Sequence, residues 1–146
     1  MRKGQADAAI IRRHLAALRD ALSNLQRHKG HTVHEFRASA DLRWTVERGL
    51  QLCVQNVLDV ATHLVASRGL DAPDYATAID KLAEIDVLPA DFAGDLRALA
   101  GFRNVLVHGY LQVDLAIIER VLNEKLLDLE QFAAQVETYL ARSEQE

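Results

Sequence analysis

The chain has 146 residues and a formal net charge of −4, with 49% hydrophobic and 26% charged residues. Leu and Ala supply 22 residues each, against 7 Gly and 2 Pro, and this excess of helix formers over helix breakers favours an all-α domain. No apolar run approaches the roughly 20 residues of a membrane span, and the first ten residues lack the apolar stretch of a signal peptide. The single cysteine, Cys53, excludes an intramolecular disulfide framework and a Cys-rich zinc site, so we expect a reducing, cytoplasmic location.

Three helices are predicted in the first part of the chain, from apolar residues that recur at spacings of 3 and 4. A polar connection over 26–35 follows the first helix, and a long second helix covers about 36–67, with Gly69 as its C-cap. After a turn, a short helix covers about 75–85. The inward residues of these helices are Ile11, Leu15, Leu18, Leu22, Leu25, Leu42, Val46, Leu50, Cys53, Val57, Val60, Leu64, Ile79, Leu82 and Ile85.

Two further helices complete the prediction. The fourth begins near Pro89 and ends near Gly109, and the last runs from Asp114, its N-cap, to about Ala141. Their inward residues are Phe92, Leu96, Leu99, Leu106, Ile118, Leu122, Leu126, Leu129, Ala133, Val136 and Leu140. No segment alternates with period 2, so we predict an up-and-down helical bundle of four long helices and one short helix, forming a single domain over residues 1–146.

An arginine occupies an inward position of the fourth helix. Four residues beyond Leu99, the stripe reaches Arg103, and burying an unpaired charge there would be very costly, so Arg103 must meet a carboxylate or open into a cleft. His108 follows at the predicted helix end, where the helix dipole favours a positive group and Gly109 lets the helix stop.

The second helix carries a matching polar line of Asn56, Asp59 and His63 beside its apolar seam. Asp59 is the predicted partner of Arg103 if the two helices are neighbours. The alternative is a buried structural ion pair or network without chemistry.

Residues 103–110 read Arg-Asn-x-x-x-His-x-Tyr, which resembles the signature of the HEPN superfamily. More narrowly, the chain resembles the HepT-like toxins that are encoded beside a minimal nucleotidyltransferase antitoxin. The similarity extends over about residues 40–136 and also includes Glu47-Arg48-x-Leu50, the run 55–64, the block 96–110 and Leu126-x-Asp128-Leu129-x-x-Phe132.

The resemblance implies a metal-independent endoribonuclease without a cofactor. Arg103 and His108 match the catalytic pair of the family, and Tyr110 matches the tyrosine that receives AMP from the antitoxin. The implied partners are an RNA substrate, the cognate nucleotidyltransferase and, since family members are dimers, a second copy of the chain. The alternative, from a different class, is a non-catalytic helical interaction module that docks a nucleotidyltransferase and is modified by it.

These residue types suit the cleavage of RNA by its own 2′-hydroxyl. Histidine exchanges protons near neutral pH, and arginine grips two phosphate oxygens while it stays charged. Asn104 is expected to bond the phosphate or His108, with Asp59 and His63 in supporting positions. Because one motif offers a single histidine, a homodimer would supply both the acid and the base.

Three other features carry weaker hypotheses. His28, His31 and His34 lie at i, i+3 and i+6 and either bind a metal ion or, as is more common for loop histidines, are solvated. Cys53 is predicted to be a small buried apolar residue. Trp44 lies off the main stripe, and packing at an interface is favoured there over stacking on a base.

Overall fold

The computed structural model describes residues 3–108 and 113–145, with side chains from residue 7 onwards. Helices make up the regular structure of these residues, without a strand among them, so the predicted all-α class is confirmed. The helices are α1 (Lys3–Gln26), α2 (Val33–Ala38), α3 (Ala40–Ser67), α4 (Tyr75–Glu84), α5 (Ala90–Leu96), α6 (Leu99–Val107), α7 (Leu115–Glu124) and α8 (Leu126–Glu144). Within the described ranges, none of them has the combined length and apolarity that crossing a bilayer requires.

The long helix α3 is the centre of the bundle and contacts α1, α2, α4, α6, α7 and α8. The predicted inward residues form one buried apolar core, except that Leu42 and Leu99 are only partly buried. Removal of this apolar surface from water is the main force that holds the helices together.

The predicted second helix is in fact two helices, because Ser39 interrupts it. Ser39 has extended backbone angles, and its side-chain oxygen accepts the N–H of Leu42 at 3.2 Å as the N-cap of α3. The predicted connection over 26–35 extended too far, because Thr32 is a second N-cap residue at which a helix begins. Thr32 and Glu35 form a capping box, and α2 therefore begins at Val33.

The predicted fourth and last helices are also divided. Between α5 and α6, the N–H of Ala100 bonds to the carbonyl of Arg97, three residues back, so the helical hydrogen-bond register changes there. The last helix breaks at Lys125, between α7 and α8. Neither break contains Pro or Gly, and the apolar periodicity continues across both, so the sequence pattern did not predict them.

Two predicted helix boundaries are confirmed in detail. Gly69 adopts a positive φ of 72° after α3, and the N–H of Leu70 bonds back to the carbonyl of Val65 at 3.1 Å, as in a Schellman C-cap. At the start of α7, the Asp114 carboxylate accepts the N–H of Ala116 at 2.9 Å.

Candidate active site

Arg103 lies on α6 and is half-buried, with contacts to two other helices. Its Nε donates a hydrogen bond to Oε1 of Gln55 on α3 at 3.1 Å. Its guanidinium carbon lies 5.5 Å from the centre of the Tyr75 ring on α4, within the range of a cation–π contact. The guanidinium is therefore fixed from two sides, and part of the side chain remains accessible.

The predicted direct pairing of Arg103 with Asp59 was wrong, because Gln55 lies between them. Nε2 of Gln55 donates to Oδ1 of Asp59 at 2.9 Å, while its oxygen accepts from Arg103. Within the described residues, Arg103 forms no ion pair with a carboxylate. An amide has both a donor and an acceptor, so Gln55 joins the arginine to the carboxylate.

Sequence reasoning missed Gln55 and Tyr75 as members of the site. Nε2 of Gln55 also lies 3.3 Å from the hydroxyl oxygen of Tyr75, which links the two residues that hold Arg103. The signal for Gln55 was its position four residues before Asp59, on the same face of α3. Tyr75 has no such signal, because only the packing of α4 against α3 brings it to the site.

His108 is the C-cap of α6, with an exposed side chain. The helix ends at Val107, close to the predicted end at Gly109. Asn104 connects the two motif residues: its backbone carbonyl accepts the N–H of His108 at 3.1 Å, and its Oδ1 lies 3.4 Å from Nη1 of Arg103. The predicted modification site, Tyr110, lies outside the described residues, as does Gly109.

The polar line predicted on α3 divides between two neighbouring helices. Asn56 and His63 face α1: Oδ1 of Asn56 is 2.8 Å from Nδ1 of His14, and the rings of His14 and His63 are centred 5.6 Å apart. Asp59, by contrast, belongs to the hydrogen bonds that end at Arg103. His63 is therefore close to Asp59 along α3, but its ring contact is with His14 of α1.

The loop histidines belong mainly to the start of α2. Nδ1 of His31 lies 2.7 Å from Glu35, and this hydrogen bond is the main cause that lowers the pKa of the Glu35 carboxyl. His34 is exposed. Across residues 3–108 and 113–145, no group of three or more His, Cys, Asp or Glu side chains has the geometry of a metal site.

Cys53 and Trp44 have opposite environments on α3. Cys53 is fully buried, as predicted, and burial raises the pKa of its thiol to about 12, so it is not a thiolate nucleophile. Trp44 is 63% exposed, so most of its side chain is left uncovered by the described residues. It borders a groove between α1 and α3 together with Leu52, which is 38% exposed.

The arrangement around α6 presents two chemically different groups within one helical turn and a half. Arg103 is a permanent cation with a planar array of donors, of which Gln55 uses one. His108 lies at the C-terminal end of the helix, where the backbone carbonyls favour a positive group. Together these groups suit the binding of a phosphodiester and the transfer of a proton to or from it.

Known proteins resemble this chain in sequence and in the arrangement of its helices. Residues 10–136 match the family described as "Ribonuclease HepT-like", so the match begins within α1, earlier than the motifs indicated. The mRNA nuclease HepT of Shewanella oneidensis is 27% identical over 124 residues, which are 84% of this chain and 92% of that protein. The tRNA nuclease HepT of Aphanizomenon flos-aquae is 23% identical over 142 residues, 96% of each protein.

A solved structure of a tri-AMPylated Shewanella oneidensis HEPN toxin in complex with an MNT antitoxin has a TM-score of 0.77 to this chain and 25% identity. The alignment covers 88% of this chain and 97% of that one. The cytosolic protein YutE of Bacillus subtilis, with a TM-score of 0.81 and 20% identity, shares the fold. Because the family match covers both α3 and the motif on α6, this chain belongs to the HepT-like ribonuclease family.

Proposed function

We propose that this protein is a metal-independent endoribonuclease and the toxin of a cytoplasmic toxin–antitoxin pair. The observation that carries this proposal is the partly exposed guanidinium of Arg103, which Gln55 and Tyr75 hold, followed five residues later by an exposed His108. A purely structural arginine would direct its donors inward to carboxylates or carbonyls. Arg103 keeps donors available for an anion.

In the proposed reaction, the 2′-oxygen of RNA attacks the adjacent phosphorus, and the bond from phosphorus to the 5′-oxygen breaks. One proton leaves the 2′-hydroxyl for a base, and one proton reaches the departing 5′-oxygen from an acid, which gives a 2′,3′-cyclic phosphate and a 5′-hydroxyl. His108 transfers a proton, and Arg103 stabilises the charge that develops on the phosphoryl oxygens. Asn104 contacts both residues: its carbonyl accepts the N–H of His108, and its Oδ1 accepts from the guanidinium of Arg103.

A second copy of the chain would supply the second histidine that this scheme needs. The exposed Trp44 and Leu52 lie on α3, the helix that also carries Gln55 and Asp59. They lie eight residues apart, about two turns of the helix, and both border the groove between α1 and α3, so the second copy is proposed to pack on this groove. Light scattering on the purified chain should give the mass of a dimer. A monomer at micromolar concentration would contradict the two-histidine scheme.

The nuclease proposal is tested by incubating purified wild type, Arg103→Ala and His108→Ala with RNA in the presence of EDTA. Because two relatives are named as nucleases of different RNA classes, both mRNA and tRNA are used. Arg97→Ala and His34→Ala are matched controls, since Arg97 pairs with Asp80 at the surface and His34 is exposed.

We expect cleavage by the wild type and both controls, and a loss of at least about 100-fold in the two motif variants, the typical contribution of one proton-transfer or charge-stabilising group. Full activity of His108→Ala would remove the catalytic assignment. Loss of wild-type activity in EDTA, while the protein stays folded, would instead indicate a metal nuclease. No cleavage by any protein, with binding to a nucleotidyltransferase retained, would favour the interaction module.

The proposed partner is the cognate minimal nucleotidyltransferase, which would transfer AMP to Tyr110. An adenylyl phosphate two residues beyond His108 would pair with Arg103 and block access of RNA, without a change of fold. Intact-mass spectrometry after co-expression should show added adenylyl groups on the wild type and none on Tyr110→Phe. The same mass gain on Tyr110→Phe, or cleavage by the modified wild type, would contradict this mode of inhibition.

A further inference from the structure

A second polar cluster, away from the Arg103 site, lies where α1 packs against α3. It consists of His14 on α1 and Asn56 and His63 on α3, all half-buried. The imidazole rings of His14 and His63 are centred 5.6 Å apart, with their planes inclined by 32°. The nuclease scheme has no use for this pair of rings.

The hydrogen bonds of Asn56 determine which nitrogen of His14 carries a proton. Nδ2 of Asn56 donates to the carbonyl of Leu52 at 2.8 Å, which fixes the orientation of the amide. Oδ1 therefore faces Nδ1 of His14, at 2.8 Å, and an amide oxygen only accepts hydrogen bonds. Nδ1 of His14 must be the donor, so Nε2 of the neutral ring has a free electron pair.

This is the arrangement that prepares a histidine to bind a metal ion. Metal-bound histidines almost always donate their other ring N–H to an oxygen, which fixes both the tautomer and the orientation of the ring. Asn56 already gives His14 such a partner.

The separation of the two rings also fits a shared ion. Two imidazoles that share a tetrahedral zinc ion, each at a Zn–N distance of about 2.0–2.1 Å, have ring centres about 5–5.5 Å apart. The observed distance between ring centres, 5.6 Å, is just above this range. Imidazole suits Zn²⁺, Cu²⁺ and Ni²⁺. Because no third His, Cys, Asp or Glu ligand joins them among the described residues, water would complete the coordination.

We propose that His14 and His63 together bind one divalent transition-metal ion, with Zn²⁺ as the probe of first choice, and that Asn56 positions His14 for this. The ion would connect α1 to α3 and stabilise the fold. It would take no part in RNA cleavage, so this proposal is independent of the nuclease scheme.

The test titrates Zn²⁺ into the full chain, after removal of any affinity tag and after EDTA treatment, and follows binding by calorimetry. Unfolding temperature with and without Zn²⁺ is the second readout, since an ion that binds only the folded state raises it. The variants are His14→Gln and His63→Gln. His28→Gln is the matched control, because His28 belongs to the other close histidine pair, with its ring 5.9 Å from that of His31.

We expect the wild type and His28→Gln to bind one equivalent of Zn²⁺ that both His14→Gln and His63→Gln lose, together with the rise in unfolding temperature. Asn56→Ser, which keeps both rings, should weaken binding by about 10- to 100-fold. Asn56→Ser also keeps the proposal testable if a histidine variant does not fold. Undiminished binding by His14→Gln, or no Zn²⁺ binding by the wild type, would overturn the proposal.

Discussion

Helix α3 carries two polar clusters side by side, and they differ in what they contact. Gln55 and Asp59 form a hydrogen-bonded chain that ends at Arg103 of α6, a permanent cation. Asn56 and His63 contact His14 of α1, so that cluster consists of an amide and two imidazole rings. Both clusters border the same buried apolar stripe.

The difference arises because different helices contact the polar residues of α3: α6 contacts Gln55, and α1 contacts Asn56 and His63. A residue with two hydrogen-bonding functions, Gln55, fixes a charge that a carboxylate alone would neutralise. An ion pair between Arg103 and Asp59 would compete with a phosphate, whereas a neutral amide holds the arginine and leaves its charge for the substrate. On the α1 side, the amide of Asn56 orients the ring of His14 in the same way, for the proposed metal ion instead of a phosphate.

The largest effect that separates the two clusters should come from Gln55→Leu. Without the amide oxygen, Arg103 loses the acceptor of its Nε–H, and we expect the cleavage rate to fall by about tenfold, as for the loss of one hydrogen bond to a charged group. The measurement is single-turnover cleavage of a short RNA. Gln135→Leu, the same change on α8, is the control for a general loss of stability.

A double-mutant cycle distinguishes positioning from a merely structural role of Gln55. Arg103→Lys keeps the charge and lacks the Nε–H, so Gln55→Leu should have little further effect on the rate in that background. Equal losses in both backgrounds would mean that Gln55 does not act through Arg103.

A smaller effect is expected at Tyr75, the other residue that holds Arg103. Tyr75→Leu removes the ring below the guanidinium and should slow cleavage by about 2- to 5-fold, the equivalent of about 0.5–1 kcal/mol for an exposed cation–π contact. Tyr75→Phe keeps the ring and should retain most of the rate. Tyr139→Leu is the control, because Tyr139 makes a similar contact with Arg142, at 5.9 Å on α8. If Tyr75→Phe were as slow as Tyr75→Leu, the hydroxyl group and not the ring would matter.

The apolar stripes predicted the core of the fold well, because helix packing requires regular burial. Breaks at Ser39, Arg97 and Lys125 were missed, because apolar periodicity continues across each of them. The motif predicted Arg103 and His108, and the spacing along α3 indicated polar residues nearby. Which of these residues meet depends on how three helices pack, and that information lies outside any local pattern.

The smallest predicted effect concerns Glu47, a carboxylate on α3 outside both clusters. Partial burial raises its pKa above the ordinary value, although the nearby Arg43 opposes the shift. A raised pKa in the folded state means that ionisation of Glu47 destabilises the fold. This penalty is absent below about pH 4.5, the ordinary value for Glu, and is complete once the pH exceeds the raised pKa.

Glu47→Gln should therefore stabilise the protein at pH 7 and have little effect at pH 4. Because Glu47 is only partly buried, we expect a gain of a few tenths of a kcal/mol, which corresponds to a rise in Tm of about 1–2 °C in a domain of this size. Thermal unfolding at the two pH values measures it, with the exposed Glu124→Gln as the control. A rise in Tm that is equally large at pH 4 would show that packing of the amide, and not removal of a charge, is the cause. A fall in Tm at pH 7 would mean that the attraction between Glu47 and Arg43 outweighs the cost of burying the carboxylate.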